Sequence, residues 1–189
     1  MRGLVLAGGE SSRMQTDKAL LLLDGEPLYK RALNALHPFV LSSFVSLRKQ
    51  SSFSSQIRAD VLFDDISNIG PASALLRAYR HDPHATWIVV ACDFPFVNEA
   101  SVMHLIARRN HKAAVTCYSH PDATPEPLFA IWSPRALALL EENVARGIFG
   151  PSQTLKSLQV ERVTPMIASH LLNTNTPAEW KEATDGLNN

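Results

Sequence analysis

The 189-residue sequence has no excess of either charge, because eighteen Lys and Arg are balanced by eighteen Asp and Glu. With no global field to draw the chain onto nucleic acid or an anionic membrane, any polyanion must be held by a local site. Cysteine is scarce as well. Cys92 and Cys117 stand far apart without the C-x-x-C spacing of zinc or redox motifs, which argues against a disulfide framework and fits a reducing compartment. No apolar run approaches the length of a membrane span. Met1-Arg2 lead straight into a strand-like stretch with no separate leader pattern. These features lead us to expect a soluble, unprocessed, cytoplasmic protein. No internal repeat and no linker divides the chain, and a 46% apolar composition is enough to close one core, so a single domain over 1–189 is expected.

Apolar runs rich in Val, Ile and Phe alternate with segments of helical period. That alternation predicts an α/β fold, a three-layer α/β/α sandwich around a mostly parallel sheet. Strands are expected in RGLVLAGG, FVLSSFVSL, ADVLFD, TWIVVACD, KAAVTCYS and EPLFAIW, with TWIVVACD the most deeply buried. PLYKRALNALHPF predicts a helix burying Leu28, Ala32, Ala35 and Leu36. GPASALLRAYRHD predicts another with Pro71 in its first turn, NEASVMHLIARRN a third capped by Asn98, and SPRALALLEENVAR a fourth. TLKSLQVERV reads as helix into strand, and PAEWKEATDG as a short closing helix. Trp87, Trp132 and Trp180 read as packing residues, and His81 and His84 as surface residues of a polar loop.

The stretch GLVLAGGESSRMQTDKALL carries the first chemical signal. In open α/β sheets ligands collect beyond the carboxyl ends of the strands, and this loop leaves the first one. Gly8 and Gly9 let backbone N–H groups approach phosphate oxygens, and Ser11 and Ser12 add hydroxyl donors. Arg13 offers a planar fork and Lys18 a compact ammonium, a reasonable pair for a triphosphate. The plainer reading, a glycine turn with two solvated cations, stands beside it. The spacing excludes G-x-x-x-x-G-K-[ST], since Asp17 and Ala19 flank Lys18, and G-x-G-x-x-G is absent. Asp93, where VVACDFPFV leaves its strand, is costly to bury without a cation. A Mg²⁺ ion shared with phosphate is the natural partner, an N-cap or ion pair the simpler one. Asp64 in LFDDISNIGPASA should reach the same rim. A carboxylate accepts two parallel hydrogen bonds, which suits the N1–H and N2–H₂ edge of guanine; the alternative is that Asp64 or Asp65 caps a turn.

Taken together, LAGGESSRMQTDKALL, GPASALLRA, ACDFPFV, EPLFAIW and NTNTP resemble the molybdenum cofactor guanylyltransferase family (MobA-like), within the α/β nucleotidyltransferases of Rossmann-like fold. The resemblance implies transfer of GMP from GTP, with Mg²⁺, to the phosphate of molybdopterin carrying molybdenum, releasing pyrophosphate. It further implies a nucleotide-binding part over about 1–100 and an acceptor-binding part over about 101–189. By position, Leu6, Ala7, Gly8 and Gly9 contact the nucleotide, Ser12 and Gly70 assist, and Arg13 and Lys18 neutralise phosphate. Asp64 reads the base, Asp93 holds Mg²⁺, and Asn173 and Asn175 face the pterin; the alternative for these asparagines is a polar turn. Since the attacking phosphate is already an anion, the reaction asks for placement and charge more than for a general base. Transient contact with cofactor-delivery proteins or apo-molybdoenzymes is expected on chemical grounds. Gln15 and Ala74 stand where the family usually has glycine, and neither change removes a charge. Competing expectations are a CTP-dependent molybdopterin cytidylyltransferase, a sugar- or alcohol-phosphate nucleotidyltransferase, and a nucleotide-binding protein without turnover.

Overall fold

The sheet is built from short apolar runs that the chain can bury on both faces. A computed structural model of the chain describes residues 1–8, 17–48, 54–174 and 179–180. The strands are β1 (Arg2–Leu6), β2 (Leu22–Leu23), β3 (Glu26–Pro27), β4 (Ser43–Leu47), β5 (Val61–Phe63), β6 (Trp87–Ala91), β7 (Val115–Ser119), β8 (Pro125–Trp132) and β9 (Val160–Val163). Seven of them form one sheet in the order β5-β4-β1-β6-β8-β7-β9. Parallel pairing joins β5, β4, β1 and β6 in turn, and also β7 to β9, whereas β8 runs antiparallel to both of its neighbours. The expectation of a mostly parallel sheet therefore holds. β6 is buried at every position, as a central strand covered on both faces should be.

The helices are α1 (Leu28–Leu36), α2 (Ala72–His81), α3 (Glu99–Ala107), α4 (Pro134–Ala145) and α5 (Pro151–Leu155). α1 packs beside α3, and α2 beside α4, which gives the two outer layers. The four side chains expected on the inner face of α1 are all buried. Asn98 caps α3 by accepting the Ser101 N–H at 2.9 Å, and its own N–H donates to Ser101 Oγ at 3.1 Å. Trp87 and Trp132 are fully buried and face one another across β6 and β8. Among the described residues no helix is long and apolar enough to cross a membrane.

Three local expectations change. Strand β4 begins only at Ser43; the preceding Phe39-Val40-Leu41 leaves a 3-10 turn, and Leu41 is 88% exposed despite its apolar character. Pro71 occupies the cap position rather than the first turn of α2. The sequence reading also missed a two-stranded ribbon, β2 with β3, turned by Asp24 (φ 53°) and Gly25 (φ 77°). An Asp-Gly pair in left-handed conformation is the usual chemistry of so tight a hairpin. After β9 the chain passes through a 3-10 turn at Ala168–Leu171 and returns to the end of β6. The closing helix lies largely outside the described residues.

Candidate active site

Parallel strands of similar height deliver the residues that follow them to one rim. β1 runs on into Ala7 and Gly8, β4 into Arg48, β5 into Asp64, and β6 into Cys92 and Asp93. Backbone bonds continue the ladder past the strand ends. The Ala7 N–H donates to the Ser46 carbonyl at 3.0 Å, Cys92 N–H to Leu6 carbonyl at 3.0 Å, and Asp64 N–H to Leu47 carbonyl at 2.8 Å. These residues are thus tied into the sheet rather than left on loose loops. The chain moves outward from β1 through β4 to β5, then returns to β6 on the opposite side of β1. A crevice opens at such a reversal. It is a cavity of about 310 Å³, lined by all of these strand-end residues, by Asp17 and Lys18, by Gly70, Pro71 and Ala74 at the start of α2, and by Leu128 of β8.

Gly8 is needed here for space. A Cβ on it would stand 3.2 Å from the Arg48 backbone nitrogen and 3.5 Å from Asp64 Oδ2. The bare Cα lets β1, Arg48 and the Asp64 carboxylate share one wall. Ser46 Oγ donates to Asp64 Oδ1. Burial raises the Asp64 pKa above the usual carboxylate range; the Ser46 bond and the Arg48 charge oppose that shift, and Asp65 adds to it.

Asp93 is the more strongly buried carboxylate. Burial again pushes its pKa up, opposed by a hydrogen bond from the Asn173 side chain and by Lys18, while Glu126 adds repulsion. Its Oδ1 is buried with no hydrogen-bond partner among the described residues. Glu126 is itself fixed: its Oε2 lies 3.0 Å from His120 Nε2, and its Oε1 accepts the Leu128 N–H at 2.9 Å. Burial drives the Cys92 thiol far above its ordinary range, and the charges of Asp93 and Asp17 drive it further. Cys92 is therefore an inert lining residue rather than a nucleophile.

Of the residues singled out from sequence, Leu6, Ala7, Gly8, Lys18, Asp64, Gly70 and Asp93 line this one cavity. Asn173 is brought against Asp93. Gly9, Ser12, Arg13, Gln15 and Asn175 lie outside the described residues. Ala74 keeps α2 intact but turns toward the cavity, where the family glycine would leave more room. Sequence reasoning passed over Arg48, Asp17, Ser46 and Leu128. Arg48 had the same signal as Asp64 and Asp93, a charged residue directly after an apolar strand. No group of three or more His, Cys, Asp or Glu fit to hold a metal occurs among the described residues. A single carboxylate with a free buried oxygen suits an ion that completes its shell with phosphate and water, as Mg²⁺ does.

The family model for the MobA-like NTP transferase domain matches residues 3–177. The molybdenum cofactor biosynthesis bifunctional protein of Synechocystis is 30% identical over 180 residues; the match takes in 94% of this chain, which spans only 52% of that longer relative. The molybdenum cofactor guanylyltransferase of Yersinia pseudotuberculosis is 28% identical, with 97% of this chain and 96% of the relative covered. Among solved structures, molybdopterin-guanine dinucleotide biosynthesis protein A from Archaeoglobus fulgidus superposes with a TM-score of 0.81 at 25% identity, over 100% of this chain and 99% of that one. By the match of its sequence and of its overall fold, this chain belongs to the MobA-like NTP transferase domain family.

Proposed function

We propose that the chain transfers GMP from GTP to molybdopterin carrying molybdenum. The observation that carries this reading is the placement of Asp64 and Asp93 on two strand ends flanking the bare Gly8 backbone in one cavity, with Lys18 beside them. The names of the relatives support the same substrates. A pterin phosphate oxygen attacks the α-phosphorus of GTP, a new P–O bond forms, the α–β bridge breaks, and pyrophosphate leaves with the bonding pair. Lys18 neutralises phosphate charge, and backbone N–H groups of the β1 loop orient it. Asp64 accepts from the guanine N1–H and N2–H₂ edge. Asp93, through its unpartnered Oδ1, would hold Mg²⁺, which when bound supplies charge neutralisation to the phosphates. Arg13, Gly9, Ser12 and Asn175 complete the proposal from sequence alone.

One observation favours a second reading. Arg48 lines the same wall as Asp64 and brings donors that a cytosine carbonyl accepts. CTP is therefore the competitor to test. Thermal unfolding is measured with each of the four nucleoside triphosphates, with and without Mg²⁺. A ligand bound only by the folded state at a hundredfold excess over Kd stabilises by about 2.7 kcal/mol. A shift confined to GTP and enlarged by Mg²⁺ is expected. Preference for CTP moves the chain to the cytidylyl reaction, and no shift with any nucleotide overturns the enzyme reading.

A further inference from the structure

Ser46 stands between Val45 and Leu47 in β4 and is 1% exposed. Its rung neighbours are Leu6 of β1 on one side and Leu62 of β5 on the other. A hydroxyl buried in such company needs a partner. Continuing the β4–β5 register by one rung sets Arg48 beside Asp64, and strand alternation puts Ser46 on the same face as both. Ser46 Oγ accordingly donates to Asp64 Oδ1. Asp64 is only half-buried and lines the strand-end cavity, with its Oδ2 on the side of the bare Gly8 Cα. A carboxylate has about four lone-pair sites, so the Ser46 bond ties it to the sheet and still leaves acceptors for a ligand.

What a carboxyl group can read depends on its proton. Ionised, it offers acceptors only, which fits the N1–H and N2–H₂ edge of guanine; protonated, it offers one donor and one acceptor, which fits N3 and N4–H₂ of cytosine or N1 and N6–H₂ of adenine. A hydroxyl that donates to it favours the ionised form. We infer that Ser46 is a positioning residue that sets base selectivity, holding Asp64 in place as an acceptor-only group and so favouring guanine over cytosine and adenine. This deepens the proposed function and rests on its reading of Asp64 as the base reader. The surroundings of Asp64 act in opposite directions: burial and Asp65 favour the neutral form, Ser46 and Arg48 the ionised one. Asp17, Lys18 and Asp93 line the same cavity. Without the Ser46 donor, less opposes burial.

The test is the ratio of GTP to CTP affinity as a function of pH, measured by calorimetric titration of the folded chain at fixed Mg²⁺. Titration of the triphosphate is common to both nucleotides and cancels in the ratio. Ser46→Ala should lower the ratio at neutral pH by about tenfold, the order of one hydrogen bond to a charged group, and should move its decline on acidification to higher pH. Ser46→Thr keeps the hydroxyl and should restore the parent ratio; reading both variants guards against a folding failure in one. An unchanged ratio and pH profile in Ser46→Ala, or an equal loss in both variants, would overturn the inference. Asp64→Asn, which fixes one donor beside one acceptor, separates this from failure of the underlying reading. If Asp64→Asn keeps the parent ratio, Asp64 is not the base reader and both fall; if it loses the preference while Ser46→Ala keeps it, only the role of Ser46 falls.

Discussion

At the scale of single residues, the cavity depends on one missing side chain and several charges that share little space. Gly8 leaves its neighbours little slack, since a Cβ there would press on the Arg48 backbone nitrogen at 3.2 Å. Gly8→Ala should cost about 1–3 kcal/mol of stability through overpacking. It should also weaken nucleotide binding by about tenfold or more, equivalent to about 1.4 kcal/mol. Urea unfolding and a nucleotide titration on the same variant check both, and an unchanged affinity would show that this wall does not face the nucleotide. The sequence made Gly8, Lys18, Asp64 and Asp93 legible because each follows a strand or leads out of the first loop, where chemistry is expected. It could not reveal that Asn173 reaches Asp93, because that contact joins distant parts of the chain and no local pattern records it. Ser46 was hidden for a different reason: an isolated serine inside an apolar strand gives no hint that its hydroxyl will meet a carboxylate on the next strand.

At the scale of elements, local chemistry explains most boundaries and also the misses. Asn98 and Ser133 cap their helices as their positions predict. The β2–β3 ribbon escaped notice because each strand is two residues long, too short for alternation to show, although Asp24-Gly25 was the available clue. Phe39-Val40-Leu41 misled because apolar composition alone does not decide burial. The return segment after β9 carries a pH dependence. Asn98 Oδ1 accepts from Ser101, so its amide Nδ2 is the group that meets His170 Nε2, which must accept and is therefore unprotonated. Burial lowers the His170 pKa below its ordinary value of 6.5, and His104 lowers it further. An unfolded chain then binds more protons than the folded one as pH falls. The contribution is complete above the unfolded value and is lost as pH drops through the lower folded value. Urea midpoints at pH 7.5 and 5.5 should fall less steeply with acid for His170→Gln than for the parent chain; equal slopes would remove His170 from the account.

At the scale of the whole molecule, stability and chemistry sit at opposite ends of the same strands. Trp87 and Trp132 pair at the beginning of β6 and the end of β8, with Phe44 packed at 5.8 Å from the Trp87 ring. The strand-end cavity lies at the other end of β6. Trp87→Ala should cost about 3–5 kcal/mol, a large part of the 5–15 kcal/mol typical of a domain. Nucleotide affinity per folded molecule should nevertheless hold, as a titration corrected for the folded fraction will show; a matching loss of affinity would mean that the two ends are coupled. The reversed direction of β8 has a different consequence. Its beginning, not its end, stands at the chemical rim, so the β7–β8 hairpin at His120–Thr124 overhangs that side. Residues added at the hairpin tip would leave every rung between β6 and β8 in place. The space above that rim can therefore be widened, narrowed or roofed by loop length alone, an adjustable eave on a fixed frame.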